Sequence, residues 1–384
     1  MKKVLLLSCS TGQGHNSCAK AIKEYFSLQG VDCEIRDALD FVSVRFAAFI
    51  SWGHSFVYRH LPGLFQWGYR RSENKSSSFG ETSTVYRFFA SHTKKLRQYI
   101  IDESFDAVIC THQVGALMLS HIQKKASLDV QTAFVATDYT CYPGLHACYL
   151  EKNFISGEEQ IEAYLECGIP QNQIIASGIP VRPDIFEHRE KGEAKRQLNI
   201  KGSSCHLLMM SGSMGCGPMK KILRYVVEEL PDNTEITVIC GTNKRLYRSL
   251  NRKYKIDSRI HIVGYTDEVS LYMDASDLYL TKPGGISVTE AAAKKLPMVF
   301  VNAVAGCEQY NMDFFVEIGA AVTAGTDREI ATKSISLLCS ATERGNMVER
   351  LREYNQPNGA LRIYRELQKT ESRLRENSLE SGIA

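Results

Sequence analysis

Short apolar runs alternate along this chain with longer stretches in which apolar residues recur every three or four positions. Residues 4–7, 32–36, 107–111, 132–136, 154–155 and 173–176 read as strands. Residues 17–29 have the amphipathic spacing of a helix. Strands separated by helical patterns predict a parallel sheet with crossover helices. Composition changes between 178 and 192, where Pro180 and Pro183 precede a charged stretch at 187–191. The strand pattern then restarts at 206–210, 236–240, 260–263, 278–280, 298–301 and 320–323. We therefore expect two α/β domains, 1–180 and 190–355, with 356–384 a C-terminal helix and frayed tail. The helical pattern of 347–375 is broken at Pro357-Asn358-Gly359. Two such domains place their sheet edges across a cleft, the usual home of a ligand.

Composition narrows the class. The 384 residues are 44% hydrophobic and 23% charged, a globular profile with room for two cores. A net charge of only +3 calls for no nucleic-acid partner. Twelve cysteines include no C-x-x-C pair, which suits free thiols in a reducing cytosol better than disulfides or zinc. The apolar run 4–7 behind Lys2-Lys3 is too short for a signal peptide. No run approaches the ~20 apolar residues of a membrane span. A cytoplasmic protein is expected.

Residues 39–72 have a different texture. Both tryptophans, Trp52 and Trp67, fall here among Phe46, Phe49, Phe56, Tyr58, Phe65 and Tyr69. Phe46, Phe49, Ile50, Gly53, Phe56, Val57 and His60 follow helical spacing, flanked by Arg45, Arg59, Arg70 and Arg71. A pair of aromatic, cationic, amphipathic helices either binds a bilayer surface or packs on the first sheet.

Glycine loops close several strands. Ser8-Cys9-Ser10-Thr11-Gly12-Gln13-Gly14-His15 lies between the first strand and the first helix. Gly12 and Gly14 let backbone approach a ligand, and a neutral His15 there either accepts a substrate proton or bonds to backbone. Asp138 in Thr137-Asp138-Tyr139 either caps a turn or orients a histidine or an acceptor hydroxyl. Ser211-Gly212-Ser213-Met214-Gly215-Cys216-Gly217 opens the second half, and its small residues and serine hydroxyls suit a diphosphate. Cys240-Gly241-Thr242-Asn243 and Val263-Gly264-Tyr265 end further strands and offer walls for a base, with Tyr265 packing a ring.

Residues 281–311 are the densest. Thr281-Lys282-Pro283-Gly284-Gly285 forces a bare turn, and a helix is expected to begin at Ser287. Glu290 then either reaches back as a capping-box partner of Ser287 or holds ribose hydroxyls. Lys282 reads equally as a solvated side chain. A second loop, Ala305-Gly306-Cys307, leads into Glu308, Gln309 and Asn311. No Asp-x-Asp occurs, so a leaving diphosphate would depend on helix dipoles, serines and lysines.

Together these motifs resemble the family-28 glycosyltransferases, in the diacylglycerol branch of monogalactosyldiacylglycerol synthases and processive diacylglycerol glucosyltransferases. The resemblance spans nearly the whole chain. Its most specific part is Lys-Pro-Gly-Gly-x-x-x-x-Glu-Ala with Gly-x-Glu-x-x-Asn downstream. It implies the GT-B architecture, two facing Rossmann-like domains, and inverting transfer of glucose or galactose from a UDP-hexose to diacylglycerol or a related lipid. It implies no cofactor and no metal for the chemistry, the UDP-sugar being a co-substrate. It also implies a cytoplasmic protein, peripheral on the inner face of the cell membrane, with an anionic membrane surface as partner.

By carry-over His15 is the general base and Asp138 its companion. Glu290 holds ribose; Glu308, Gln309 and Asn311 contact sugar and diphosphate; Gly212, Ser213, Gly284 and Gly285 line the phosphates; Gly241, Asn243 and Tyr265 border uracil. The acceptor side takes Gly12, Gly14, Trp52, Phe56, Arg59, Trp67, Arg70 and Arg71. The chain departs from the family at Gln13, where Gly is common. It also has Ala305-Gly306-Cys307-Glu308 for Pro-Gly-Gln-Glu, and Leu145-His146 where tryptophan is frequent. Alternatives are an N-acetylglucosaminyltransferase acting on an undecaprenyl-linked peptidoglycan intermediate, a UDP-sugar 2-epimerase, and a sensor without turnover.

Overall fold

The computed structural model describes residues 1–10, 13–60, 63, 83–126, 128–212, 215, 217–301, 303 and 306–381, without the side chains of 51, 54–56, 58–60 and 371–381. The chain divides into two compact units, Met1–Pro183 with Pro357–Ala384, and Asp184–Gln356.

In the first unit the strands are β1 (Lys3–Ser8), β2 (Asp32–Asp37), β3 (Ala107–Cys110), β4 (Gln131–Val135), β5 (Lys152–Ile155) and β6 (Ile174–Ala176). They form one parallel sheet in the order β2-β1-β3-β4-β5-β6. Val4 to Leu7 are fully buried, because central parallel strands are covered on both faces. The helices are α1 (Gln13–Leu28), α2 (Val44–His60), α3 (Thr84–Ser91), α4 (Thr93–Asp102), α5 (Gln113–Lys125) and α6 (Ile161–Glu166). Helix α1 starts four residues before the expected position 17. The Ser8 hydroxyl donates to Asn16 Oδ1 at 2.5 Å and ties that early turn to the end of β1.

The second unit repeats the design with β7 (Cys205–Met210), β8 (Thr234–Ile239), β9 (Ile260–Val263), β10 (Leu278–Thr281), β11 (Met298–Phe300) and β12 (Ala321–Thr323). Its parallel order is β12-β11-β10-β7-β8-β9. The helices are α7 (Lys191–Gln197), α8 (Met219–Glu228), α9 (Lys244–Tyr254), α10 (Val269–Asp274), α11 (Gly285–Ala293), α12 (Cys307–Glu317), α13 (Asp327–Cys339) and α14 (Ala341–Tyr354). Ile222, Leu223 and Val226 of α8 and Ile330 of α13 pack on Leu207, Val238, Leu280 and Val299. At the N-terminal edge of this sheet, Lys294 and Asp274 form a buried ion pair at 2.8 Å.

The last helix, α15 (Gly359–Ser381), returns to the first unit. Tyr364 stacks edge-on against Phe26 at 5.4 Å, and Lys152 Nζ donates to the Glu366 carbonyl at 2.9 Å. The charged C-terminal pattern thus serves the N-terminal core, an assignment that local periodicity does not contain.

Each strand order reverses direction once, between β1 and β3 and between β7 and β10. Loops leaving the C-terminal ends of strands diverge at such a reversal and leave a crevice for ligands.

Candidate active site

His15 stands in the first turn of α1, at the β1/β3 reversal of the first unit. Its Nδ1 lies 2.6 Å from the carbonyl oxygen of Thr111, the residue that follows β3. A carbonyl only accepts, so Nδ1 carries the proton and Nε2 keeps its lone pair. Thr137 Oγ1 approaches the same Nδ1 at 3.2 Å. The His112 ring meets His15 edge-on at 4.6 Å. Burial lowers the His15 pKa, while the Asp138 carboxylate and the Thr111 carbonyl raise it in part. The imidazole is therefore held neutral, with an acceptor nitrogen.

Asp138 is fixed by a short network. Tyr142 donates its phenol proton to Asp138 Oδ2 at 2.6 Å, and Thr137 Oγ1 lies 2.7 Å from the same phenol oxygen. Nearby, the buried Oε1 of Gln113, first residue of α5, has no hydrogen-bond partner among the described residues.

In the second unit the β7/β10 reversal brings two loops together. A Cβ on Gly212, after β7, would lie 3.0 Å from Lys282 Cε, after β10. Lys282 Nζ pairs with Glu308 Oε1 at 2.7 Å, and both side chains are mostly buried. Lys282 is therefore no solvated lysine. Beside it, the Ser211 hydroxyl is buried without a hydrogen-bond partner among the described residues.

Helix α11 begins at Gly285, with Gly284 as its N-cap and no side-chain cap. The expected start at Ser287 is thus two residues late. Bare glycines at this turn let the helix form directly from the loop, and its first amides stay available to an anion. Glu290 accordingly lies beyond the first turn, out of capping reach, and is buried near Tyr279. The capping-box reading of Ser287 and Glu290 falls.

Other expected residues hold the loops in shape. Asn311 is fully buried and donates from Nδ2 to the Pro283 carbonyl at 3.0 Å, pinning the β10–α11 turn. Asn243 caps α9 by accepting from the Leu246 amide at 2.9 Å. Its Nδ2 donates to the Gly215 carbonyl, also at 2.9 Å. Gly241 follows β8 with a positive φ. Gln309 is exposed and bonds Asp313, while Tyr265 is exposed with its hydroxyl on Asp267. Gly14 is exposed in the first turn of α1. Gly12, Ser213, Trp67, Arg70 and Arg71 lie outside the described residues, as do the side chains of Phe56 and Arg59.

Comparison with known proteins fits this division. Residues 15–181 match the monogalactosyldiacylglycerol (MGDG) synthase family, and residues 221–357 match the glycosyl transferases group 1 family. A processive diacylglycerol beta-glucosyltransferase of Staphylococcus epidermidis is 25% identical over 333 residues, 85% of this chain and 82% of that protein. One from Staphylococcus carnosus is 25% identical over 363 residues, 92% and 88% of the two chains. The chain belongs to the diacylglycerol glycosyltransferase family. Among solved structures, Acinetobacter baumannii MurG covers 96% of this chain and all of its own, 100%, with TM-score 0.63 and 16% identity. That likeness and the two parallel sheets give this glycosyltransferase the GT-B fold.

The aromatic insertion of the glycosyltransferase is split by packing. Phe46, Ala47 and Ile50 of α2 pack with Cys9, Leu39 and Phe89. Phe49 and Trp52 of the same helix are 65% and 63% exposed, and Val44 is exposed at its start. One face of α2 therefore belongs to the core, and large apolar side chains remain at the surface. No helix among the described residues is long and apolar enough to cross a membrane.

Sequence reasoning left Lys282 open as a solvated side chain and did not single out Thr111, Tyr142 and Gln113 around His15. Their signal was position. Thr111, Gln113 and Lys282 follow strands at a reversal of strand order and Tyr142 lies in the loop after β4, a placement visible only once the order is known.

Proposed function

We propose that this glycosyltransferase moves a hexose from a UDP-sugar to the free hydroxyl of diacylglycerol at a membrane surface, with inversion at the anomeric carbon. The relatives named processive diacylglycerol beta-glucosyltransferase support the lipid acceptor and glucose as donor sugar. The observation that carries the chemistry is the Nδ1 contact of His15 with the Thr111 carbonyl, which leaves Nε2 as a base.

His15 Nε2 takes the acceptor hydroxyl proton as that oxygen bonds to the anomeric carbon. The bond from that carbon to the β-phosphate oxygen breaks, and its electron pair leaves with UDP. One displacement inverts the configuration. Asp138, held by Tyr142, faces the charge that His15 acquires. In the second unit, Lys282 and the open amides of α11 compensate the departing diphosphate. Glu290 takes ribose hydroxyls. The chemistry is read as needing no metal, and activity retained in excess EDTA is the check. Exposed Phe49 and Trp52 of α2 insert at the interface of a bilayer, and the basic composition of the insertion suits anionic headgroups.

The test is incubation of the purified protein with UDP-glucose, UDP-galactose or UDP-N-acetylglucosamine and diacylglycerol vesicles. Hexosyl-diacylglycerol from one of the first two donors supports the reading. Turnover of UDP-N-acetylglucosamine alone, with an undecaprenyl-linked acceptor or by 2-epimerisation, overturns it.

A further inference from the structure

We propose that the Lys282–Glu308 ion pair is a latch that a nucleoside diphosphate opens. The ammonium moves from the Glu308 carboxylate to the phosphates, and the freed carboxylate turns to the sugar hydroxyls. This rests on the reading of the second unit as the UDP-sugar site.

Lys282 is the first residue after β10, and its Nζ reaches Glu308 Oε1 in the first turn of α12 at 2.7 Å. The side chains are 21% and 12% exposed, so neither charge is well hydrated. Separating them without a replacement partner leaves two desolvated charges, which is unfavourable. The same lysine end lies over both glycine turns: Gly212 Cα carries no Cβ where Lys282 Cε would be 3.0 Å away, and a Cβ on Gly284 would lie 3.7 Å from Nζ. The Ser211 hydroxyl, buried without a partner among the described residues, precedes Gly212, and the uncapped start of α11 follows Gly284. A diphosphate there brings more negative charge than one carboxylate, accepts from Ser211 and the α11 amides, and outcompetes Glu308 for the ammonium. Glu308 is then repaired only by donors, and hexose hydroxyls are donors.

The exchange makes two opposing demands on one residue. Glu308 competes with the phosphates for Lys282, so it weakens UDP binding, yet it grips the sugar. UDP-sugar, which satisfies both partners, is thereby favoured over UDP, which satisfies one. Product release follows from the same balance, because Glu308 reclaims Lys282 once the hexose has left.

Titration calorimetry on the full chain with uridine and with UDP tests this, using Glu308→Gln, Lys282→Met and the double variant. Glu308→Gln is expected to tighten UDP about tenfold, Lys282→Met to weaken it about tenfold, and the double variant to match Lys282→Met. Uridine, which has no phosphate, is expected to bind all four proteins alike and so reports an intact fold. Glu308→Ala repeats the first expectation with a different side chain. A structural ion pair gives another pattern: Glu308→Gln leaves UDP affinity unchanged or lowers it, and the latch is then wrong although the donor site stands. If the wild-type chain binds neither uridine nor UDP, the donor reading fails and the latch fails with it.

Discussion

The Nδ1 atom of His15 and the carbonyl oxygen of Thr111 are 2.6 Å apart across the β1/β3 reversal. That contact selects the tautomer and leaves the lone pair on Nε2. His15→Ala is expected to lower kcat by about 10²–10⁴ with UDP affinity unchanged. Burial depresses the His15 pKa, and the neutral ring is the active form. Transfer therefore persists below pH ~6.5, the ordinary imidazole value, and declines only at lower pH. Asp138 favours the protonated ring, so Asp138→Asn moves the acid limb of the pH–rate profile further down. An unchanged limb in that variant would exclude electrostatic coupling between the two residues.

Gly215 is wedged between loops. A Cβ there would stand 2.2 Å from the Cys240 carbonyl oxygen, and its φ is +54°. Gly215→Ala must push the β7–α8 loop off the β8–α9 loop and break the Asn243–Gly215 hydrogen bond. A loss of about 2–4 kcal/mol is expected in denaturant unfolding, together with weaker UDP binding. Wild-type stability in this variant would show that the loops separate freely.

Exposed Phe49 and Trp52 are assigned to the bilayer. The Phe49→Ser, Trp52→Ser double variant should lose most binding to vesicles containing anionic lipid, as read by sedimentation. UDP affinity should not change, because these residues belong to the first unit and the donor loops to the second. Retained vesicle binding would return both side chains to an ordinary surface.

His206 is buried in the core of the second unit, with Nε2 2.9 Å from Thr237 Oγ1 and a pKa lowered to about 4 by burial. Between pH 6.5 and 4 the unfolded chain binds a proton that the folded chain refuses. Stability is therefore full above that window and falls as pH drops through it, by about 3 kcal/mol from this residue. His206→Gln should be less stable at neutral pH and show a flatter decline in urea titrations. An equally steep decline would assign the acid sensitivity to other groups.

Strand positions were legible because central parallel strands are buried on both faces and write continuous apolar runs, as at Val4 to Leu7. Helix starts were less so. Gly14, Gly284 and Gly285 are poor helix formers, and tertiary ties such as Ser8–Asn16 and Asn311–Pro283 begin the helices early. Glycine loops marked the right strand ends, but loop chemistry alone left Lys282 looking like a surface residue. Its ion pair requires β11 to lie beside β10 so that α12 starts within reach, which is tertiary information. The return of α15 to the first unit was invisible for the same reason, since its charged pattern fits any apolar groove.

Base-assisted hexose transfer to diacylglycerol is tested by mass spectrometry with proton NMR of the lipids made by a host expressing this chain, beside the same host expressing His15→Ala. A β-linked hexosyl-diacylglycerol is expected in the first host and almost none in the second. No new glycolipid in the first host, an α linkage, or equal amounts in both would contradict it.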